Sequence, residues 1–372
     1  MVARAANALF LLVGALGLLV SCERSQVRAA REMLVRARDA LQTLPFQGTV
    51  RVQGPVEPGR PPESRYKVTV NPPEEPRIER LDPAPAKAPA EGPRPDGPRR
   101  RPPSRRGRIP VPSLDRVDLL LKNYAPSLPG MELVAGRNTR VLALSPRHPD
   151  RPEVKLWLDG ETGLPLRTEE RWLSGLSEIV LFEEFSPGSA SQSAPVDAPK
   201  VAPPPRREPV TVDVARSRLP FPPVQPATLP SGFELVGAWI LKPEGRRPGG
   251  PGPGGQAPGV PPAAAPPPPG AAAPAPARPG RLQLEYSDGW TRITVFESSA
   301  DEPESPPRER PGSRPRKSEP EQQVSAGALV VKKRDLGAVR MFHFTYGGTR
   351  VAVFGKLPER ELLLMIETAQ AR

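Results

Sequence analysis

Apolar residues recur along this chain with two different periods. From residue 23 to 44, Val27, Ala30, Leu34, Ala37 and Leu41 stand three or four apart, with Arg24, Arg28, Arg31 and Arg38 between them. That spacing gathers the apolar side chains on one face of a helix, and Pro45 ends it. A period of two follows over residues 46–52, 66–70 and 77–81, which predicts strands. Ser113 is a suitable N-cap for a short helix over 114–124, with Val117, Leu120 and Leu121 on one side. Further strands are predicted at 131–135, 139–144, 154–158, 166–172 and 178–185. The run from Leu156 to Arg167 reads as a hairpin whose turn carries Gly160 and Gly163. Its acids, Asp159 and Glu161, are expected to face water rather than to hold a metal.

The second half repeats the style. Leu229-Pro230-Ser231-Gly232-Phe233 leads into a strand that runs through Ile240. Residues 282–286 and 290–296 flank Asp288-Gly289, a pair suited to the positive φ angles of a tight hairpin. Strands at 328–332, 339–346 and 349–354 follow, the last two joined by Gly347-Gly348. Pro358 sits at the start of a closing helix with Leu362, Leu363, Ile366 and Ala369 on one face. The expected fold is α+β: antiparallel sheets with one or two helices laid across each.

Composition changes this picture in one respect. The chain holds 57 prolines and 32 glycines, a level near that of low-complexity disorder, and they concentrate between the periodic segments. Residues 82–107, 190–228 (with a strand-like run Val210-Thr211-Val212), 243–280 and 300–324 are expected to be disordered, because none buries enough apolar surface to offset chain entropy. The resulting organisation is a segment 1–22, a first domain 23–189, a linker 190–228 and a second domain 229–372.

The first 22 residues have an address rather than a fold. Arg4 precedes an uncharged apolar run that ends Leu19-Val20-Ser21-Cys22, the pattern of a secretory signal peptide. The last four residues resemble the lipobox of bacterial lipoproteins, which implies lipid on Cys22 and anchoring at a membrane of the cell envelope. An uncleaved transmembrane anchor is the competing reading, although 18 apolar residues barely span a bilayer; so is ordinary cleavage with an incidental cysteine. Cys22 is the single cysteine of the chain, so no intramolecular disulfide and no cysteine-based metal site can form. Glu23 stands where an Asp commonly retains lipoproteins at the inner membrane, which favours the periplasmic face of the outer membrane.

Charge and chemistry narrow the function further. The net charge is +12, but seven arginines crowd residues 94–108, so the excess reads as a solvated loop or a tether to anionic envelope polymers and not as a nucleic-acid surface. His148 lies in a turn near Pro146 and Pro149, and His343 lies on a strand among Met341, Phe342 and Phe344. They fall in different domains, which leaves zinc chemistry unsupported. No glycine loop opens a helix after a strand, and neither Ser174-Gly175 nor Ser231-Gly232 forms a nucleophile elbow. No catalytic residue, metal or cofactor is assigned, and the protein is expected not to be an enzyme.

Several elements together resemble the MucB/RseB family of periplasmic sigma-E regulators. They are Phe46-x-Gly48-x-Val50, Leu142 and Leu144, Leu156-Trp157-Leu158-Asp159 with Thr162-Gly163-Leu164-Pro165, the run Leu229 to Phe233, Tyr286-Ser287-Asp288-Gly289, and Leu357-Pro358 before the last helix. The resemblance implies a first domain like the lipoprotein carriers LolA and LolB, a curved antiparallel half-barrel with helices across its mouth, and a smaller second α+β domain. It implies a sensor that binds acyl chains, lipoproteins or lipopolysaccharide and acts on an anti-sigma factor. Val50, Val68, Leu142, Leu156 and Leu158 are the candidates for lining an apolar cavity, by alternation alone. A LolA/LolB-type carrier and a structural envelope lipoprotein are the alternatives. Members of the family are soluble after cleavage, so Cys22 is a departure from its pattern. Cys22→Ser is expected to release the mature chain into the soluble periplasmic fraction; retention in the membrane fraction would identify residues 1–22 as a transmembrane anchor.

Overall fold

The computed structural model describes residues 24–54, 63–72, 76–82, 114–188, 207–241, 280–302 and 321–371. The segment 1–22 with Cys22, Ser113, the arginines of 94–108 and most of the four stretches expected to be disordered lie outside the described residues.

The first domain opens with helix α1 (24–43), as the spacing predicts. Strands β1 (Phe46–Gln53), β2 (Glu63–Val70) and β3 (Arg77–Arg80) follow, then helix α2 (Val117–Asn123). Five more strands complete it: β4 (Tyr124–Val134), β5 (Arg137–Pro146), β6 (Glu153–Asp159), β7 (Pro165–Arg171) and β8 (Ser177–Pro187). All eight form one antiparallel sheet in the order β3-β2-β1-β8-β7-β6-β5-β4. The long return from β8 to β1 makes a curved half-barrel. Its curl brings the Arg137 guanidinium of β5 to 5.6 Å from the Phe185 ring of β8, three strands away.

Alternation divides the sheet cleanly. Register places Leu142, Leu156, Thr168, Val180 and Val52 in one row, and Val141, Trp157, Arg167, Leu181 and Arg51 in the next. The leucines of the first row pack with Ala30, Leu34 and Ala37 of α1 and with Val117 and Leu120 of α2. The second row carries charge on the opposite face. Arg167 stacks 4.2 Å over the Trp157 ring, Trp157 donates to Glu132, and Arg51 and Arg65 pair with Glu183.

The second domain is again one sheet with helices. Strands β9 (Arg207–Pro209), β10 (Val224–Pro226), β11 (Glu234–Leu241), β12 (Arg281–Ser287) and β13 (Arg292–Ser299) alternate early with helix α3 (Val212–Arg218). Strands β14 (Gln322–Ala326), β15 (Leu329–Leu336), β16 (Val339–Tyr346) and β17 (Thr349–Gly355) lead to helix α4 (Glu359–Glu367) and β18 (Ala369–Ala371). The main sheet runs β14-β15-β16-β17-β13-β12-β11-β9, and β10 pairs with β18 apart from it. Leu362, Met365 and Ile366 of α4 close the core over Leu282, Leu284, Val295, Phe342 and Val353.

Five expectations need correction. Residues 207–228 are not an unfolded linker: they form β9, α3 and β10, and Ala215, Phe221 and Val224 are buried in the second core. The run Val210-Thr211-Val212 is a helix start, with the Thr211 hydroxyl capping α3 by accepting from the Val214 N–H. Helix α2 begins at Val117, and Tyr124 already belongs to β4. That strand starts well before residue 131 in spite of Pro126 and Pro129. It lies at the edge of the sheet, where a missing N–H leaves no ladder bond unmade. Asp159 does not face water: its side chain is buried and takes Arg137 at 2.9 and 3.0 Å and the Thr162 hydroxyl at 2.6 Å, while Glu161 stays exposed. Burial pushes the Asp159 carboxyl up, but Arg137 and Thr162 outweigh it and hold its pKa below the ordinary value.

One acid sits in the second core with little support. Glu297 faces Leu282 across β12 and β13, is 1% exposed, and accepts a single bond from the Val224 N–H of β10 at 3.1 Å. Burial pushes its pKa up to about 8. A raised pKa means that the neutral form favours the fold: this stability is complete below the unfolded value and is lost as pH rises through about 8. Glu297→Gln should therefore raise the thermal midpoint at pH 9 relative to the parent chain and change it little at pH 5, as followed by circular dichroism.

Candidate functional site

The five residues expected to line a cavity are all buried, in two groups. Leu142, Leu156 and Leu158 lie under α1 and α2. Val50 and Val68 lie near the other end of the sheet with Phe46, Val70 and Val180. The last turn of α1 reaches this group through Ala40 and Leu41, and Val52, Tyr66, Ile78, Phe182 and Phe185 at its margin are only partly buried. Phe46, Phe182 and Phe185 pack against one another in edge-to-face and tilted pairs with centroids 5.5–6.0 Å apart. An open groove of about 440 Å³ runs along α1 itself, between Val35, Arg36, Asp39, Thr43 and Leu44 and the turn residue Thr162. None of the five candidates lies in its wall.

A second feature stands out where the domains meet, because buried polar groups converge there from both. Arg151, in the loop between β5 and β6, has a side chain 1% exposed. It pairs with Asp288 at 3.3 Å and Glu361 at 2.8 Å, donates to the Ser231 carbonyl at 3.1 Å and stacks 4.9 Å from the Phe233 ring. Asn123, the last residue of α2, donates to the carbonyls of Gly232 and Asp288 at 2.9 Å, and its oxygen meets His148 Nε2 at 3.0 Å. His148 is thus a half-buried structural group in the joint. Asp150 pairs with Arg360 beside them.

Backbones come close enough here to require glycine. At Gly232 (φ +81°) a Cβ would lie 2.5 Å from the Asn123 side-chain oxygen, and at Gly289 (φ +98°) it would lie 2.3 Å from the Leu120 nitrogen. The loop carrying Gly289 is four residues long rather than the two-residue turn that Asp-Gly suggests. Asp288 Oδ1 closes it by accepting from the N–H groups of Trp290 and Thr291. The loop aims Trp290 at the first domain, where it packs on the core of α1 and α2, while Trp172 of the first domain packs on the second core.

A second polar group lies alongside. Trp290 donates to Glu170 at 3.0 Å, and Lys356 reaches Glu178 at 2.7 Å and Glu170 at 3.7 Å. Burial pushes Glu170 up against the opposing pull of Lys356. Burial works against the Lys356 ammonium as well, and Glu170 and Glu178 outweigh it and raise its pKa. Burial also raises Asp288, and raises Tyr124 beside it with the help of the Asp288 charge. No group of His, Cys, Asp and Glu among the described residues could hold a metal ion.

The sequence signalled half of this joint. Ser231-Gly232-Phe233 and Asp288-Gly289 were legible as motifs, but as turns and not as contacts. Arg151, Asn123, Glu170, Lys356 and Glu361 were not singled out. A lone Arg or Asn beside a turn carries no periodic signal, and only the fold shows that it is buried.

These features define a class: an antiparallel half-barrel with helices on its apolar face, joined by a polar interface to a second α+β domain. Residues 99–174, which span α2 to β7 and include Asn123 and Arg151, match the family model of the MucB/RseB N-terminal domain. Among solved structures, the MucA/MucB complex of Pseudomonas aeruginosa is similar over 92% of this chain and 99% of its own, at 19% identity and a TM-score of 0.47. A crystal structure of MucB is similar over 93% and 98%, at 19% identity and a TM-score of 0.48. A LolA superfamily protein from Nitrosomonas europaea covers 42% of this chain and 92% of its own, at 16% identity and a TM-score of 0.19. No curated protein matches the chain.

Gly289→Ala should destabilise the chain by more than about 2 kcal/mol, since it combines a strained φ with a backbone clash. Gly136→Ala, at φ +73° with open space around it, should cost about 1 kcal/mol. Guanidinium unfolding of the two variants side by side checks the difference.

Proposed function

We propose that this chain is a non-enzymatic envelope sensor that binds acyl chains or the lipid part of an envelope component through its first domain and regulates a membrane-bound anti-sigma factor. The observation that carries this reading is the match of residues 99–174 to the MucB/RseB N-terminal domain, in the segment that supplies both the apolar core under α2 and the first domain's half of the joint. Physical features support it. An apolar sheet face that the end of α1 covers only in part, with half-buried Val52, Tyr66, Ile78 and Phe182 at the margin, suits a ligand that is mostly hydrocarbon. A second domain fixed to the first gives such a sensor a separate surface for its partner.

Cys22 supplies the membrane attachment in this reading, with the chain on the periplasmic face of the outer membrane. No helix among the described residues is long and apolar enough to cross a membrane. The test is capture from solubilised membranes with the full mature chain as bait: an anti-sigma factor should be retained, and lipid should be detected by mass spectrometry of the purified chain. Lipid without any anti-sigma factor would favour a carrier of the LolA/LolB type. Absence of both would sink the sensor reading.

A further inference from the structure

We propose that Arg151 is a latch between the domains, and that the joint has a second, open state in which the latch residues are hydrated. An arginine side chain stays charged at any physiological pH, and this one is almost wholly removed from water. Apart from the neighbouring Asp150 carbonyl at 3.2 Å, its partners Ser231, Phe233, Asp288 and Glu361 all belong to the second domain. Separation of the domains therefore strips Arg151 of its partners and returns it to water in one step. Such a pair is close to balanced between burial and hydration, whereas loss of one partner inside the closed joint leaves a charge uncompensated.

The closed joint also holds polar atoms that it does not satisfy. Arg151 Nε and Asp288 Oδ2 meet each other only as an ion pair at 3.3 Å, without a hydrogen bond between them, and Tyr124 Oη and Thr291 Oγ1 beside them are buried without one. Each disfavours the closed state relative to one in which water reaches it. The contact is otherwise ion pairs and single hydrogen bonds, including Asp150–Arg360, Lys122–Glu234 and Lys356–Glu178, the character of domain interfaces that move. What favours closure is the seating of Trp172 and Trp290 on each other's cores.

That seating links the latch to the core of the first domain. Trp290 and α2 cover the same apolar group that holds Leu142, Leu156 and Leu158, and α2 ends in Asn123, which is itself in the joint. A bound chain that extends from the margin at Tyr66 and Phe182 along the sheet into that core displaces Trp290 and α2 and so opens the latch. This coupling rests on the acyl-chain reading above; the latch itself does not.

The experiment measures the interdomain distance by pulsed electron–electron resonance. Spin labels go on cysteines introduced at the exposed Met131 and Val330 in the full mature chain carrying Cys22→Ser. Asp288→Asn keeps the Oδ1 acceptor that closes its loop but removes the charge facing Arg151. It should lower the closed-to-open ratio by roughly 100-fold, seen as a longer, broader distance with circular dichroism unchanged. Glu361→Gln, at the partly exposed start of α4, provides the same test if Asp288→Asn fails to fold. A native distance in the folded variants overturns the latch. In the parent chain, bound palmitate should lengthen the distance. Palmitate bound by calorimetry with an unchanged distance overturns the coupling and spares the ligand reading; no binding removes both, and the variants still decide the latch.

Discussion

Arg151 carries a charge that cannot be titrated away, and its side chain is buried. A buried guanidinium has to be paired, and the pairing groups come from three separate places in the second domain: the loop at Ser231, the hairpin at Asp288 and the helix at Glu361. That one requirement ties the relative placement of the two sheets to the local geometry of each. The Asp288 loop must present its carboxylate, so it closes on its own backbone N–H groups. Gly289 must lie against the α2 backbone, so it has no side chain. Trp290 then projects into the first core as a consequence of the same loop.

The cores on either side depend on a simpler constraint. In the first domain the apolar face of one helix, set by Ala30, Leu34 and Ala37, covers the leucine row of β5 and β6. Small alanines let α1 approach the curved sheet closely. The end of α1 covers the far part of the face through Ala40 and Leu41, and Tyr66, Phe182 and Phe185 remain half-buried at its margin. An apolar surface joined to a buried, charge-paired joint through α2 gives a ligand at one a physical route to the other.

Periodicity determined a great deal without any tertiary information. Alternation marked most of the strands of both sheets, and three- and four-residue spacing marked α1 and α4, because a half-buried element must repeat its apolar residues at its own pitch. The lipid-anchor reading of Cys22 is an expectation of the same local kind, and it rests on the sequence alone. Three kinds of feature were not legible in this way. Residues 207–228 looked like linker because their apolar residues are sparse among prolines, and only packing against the second core makes Ala215, Phe221 and Val224 structural. The first half of β4 was hidden by Pro126 and Pro129, which an edge position excuses. Asp159 was read as solvent-facing because its partner, Arg137, lies 22 residues away in sequence.

The joint shows the same division at the level of function. Ser231-Gly232-Phe233 and Asp288-Gly289 are visible as turns because a turn is a local event with a local signature. That these turns face Asn123 and Arg151 is a non-local fact. A charged residue in a polar loop and one buried between two domains have the same neighbours in sequence, and they differ only in how far water is excluded by chain brought in from elsewhere. Burial of charge is decided by the tertiary structure, and here it is what joins the two folded units whose outlines the sequence had already drawn.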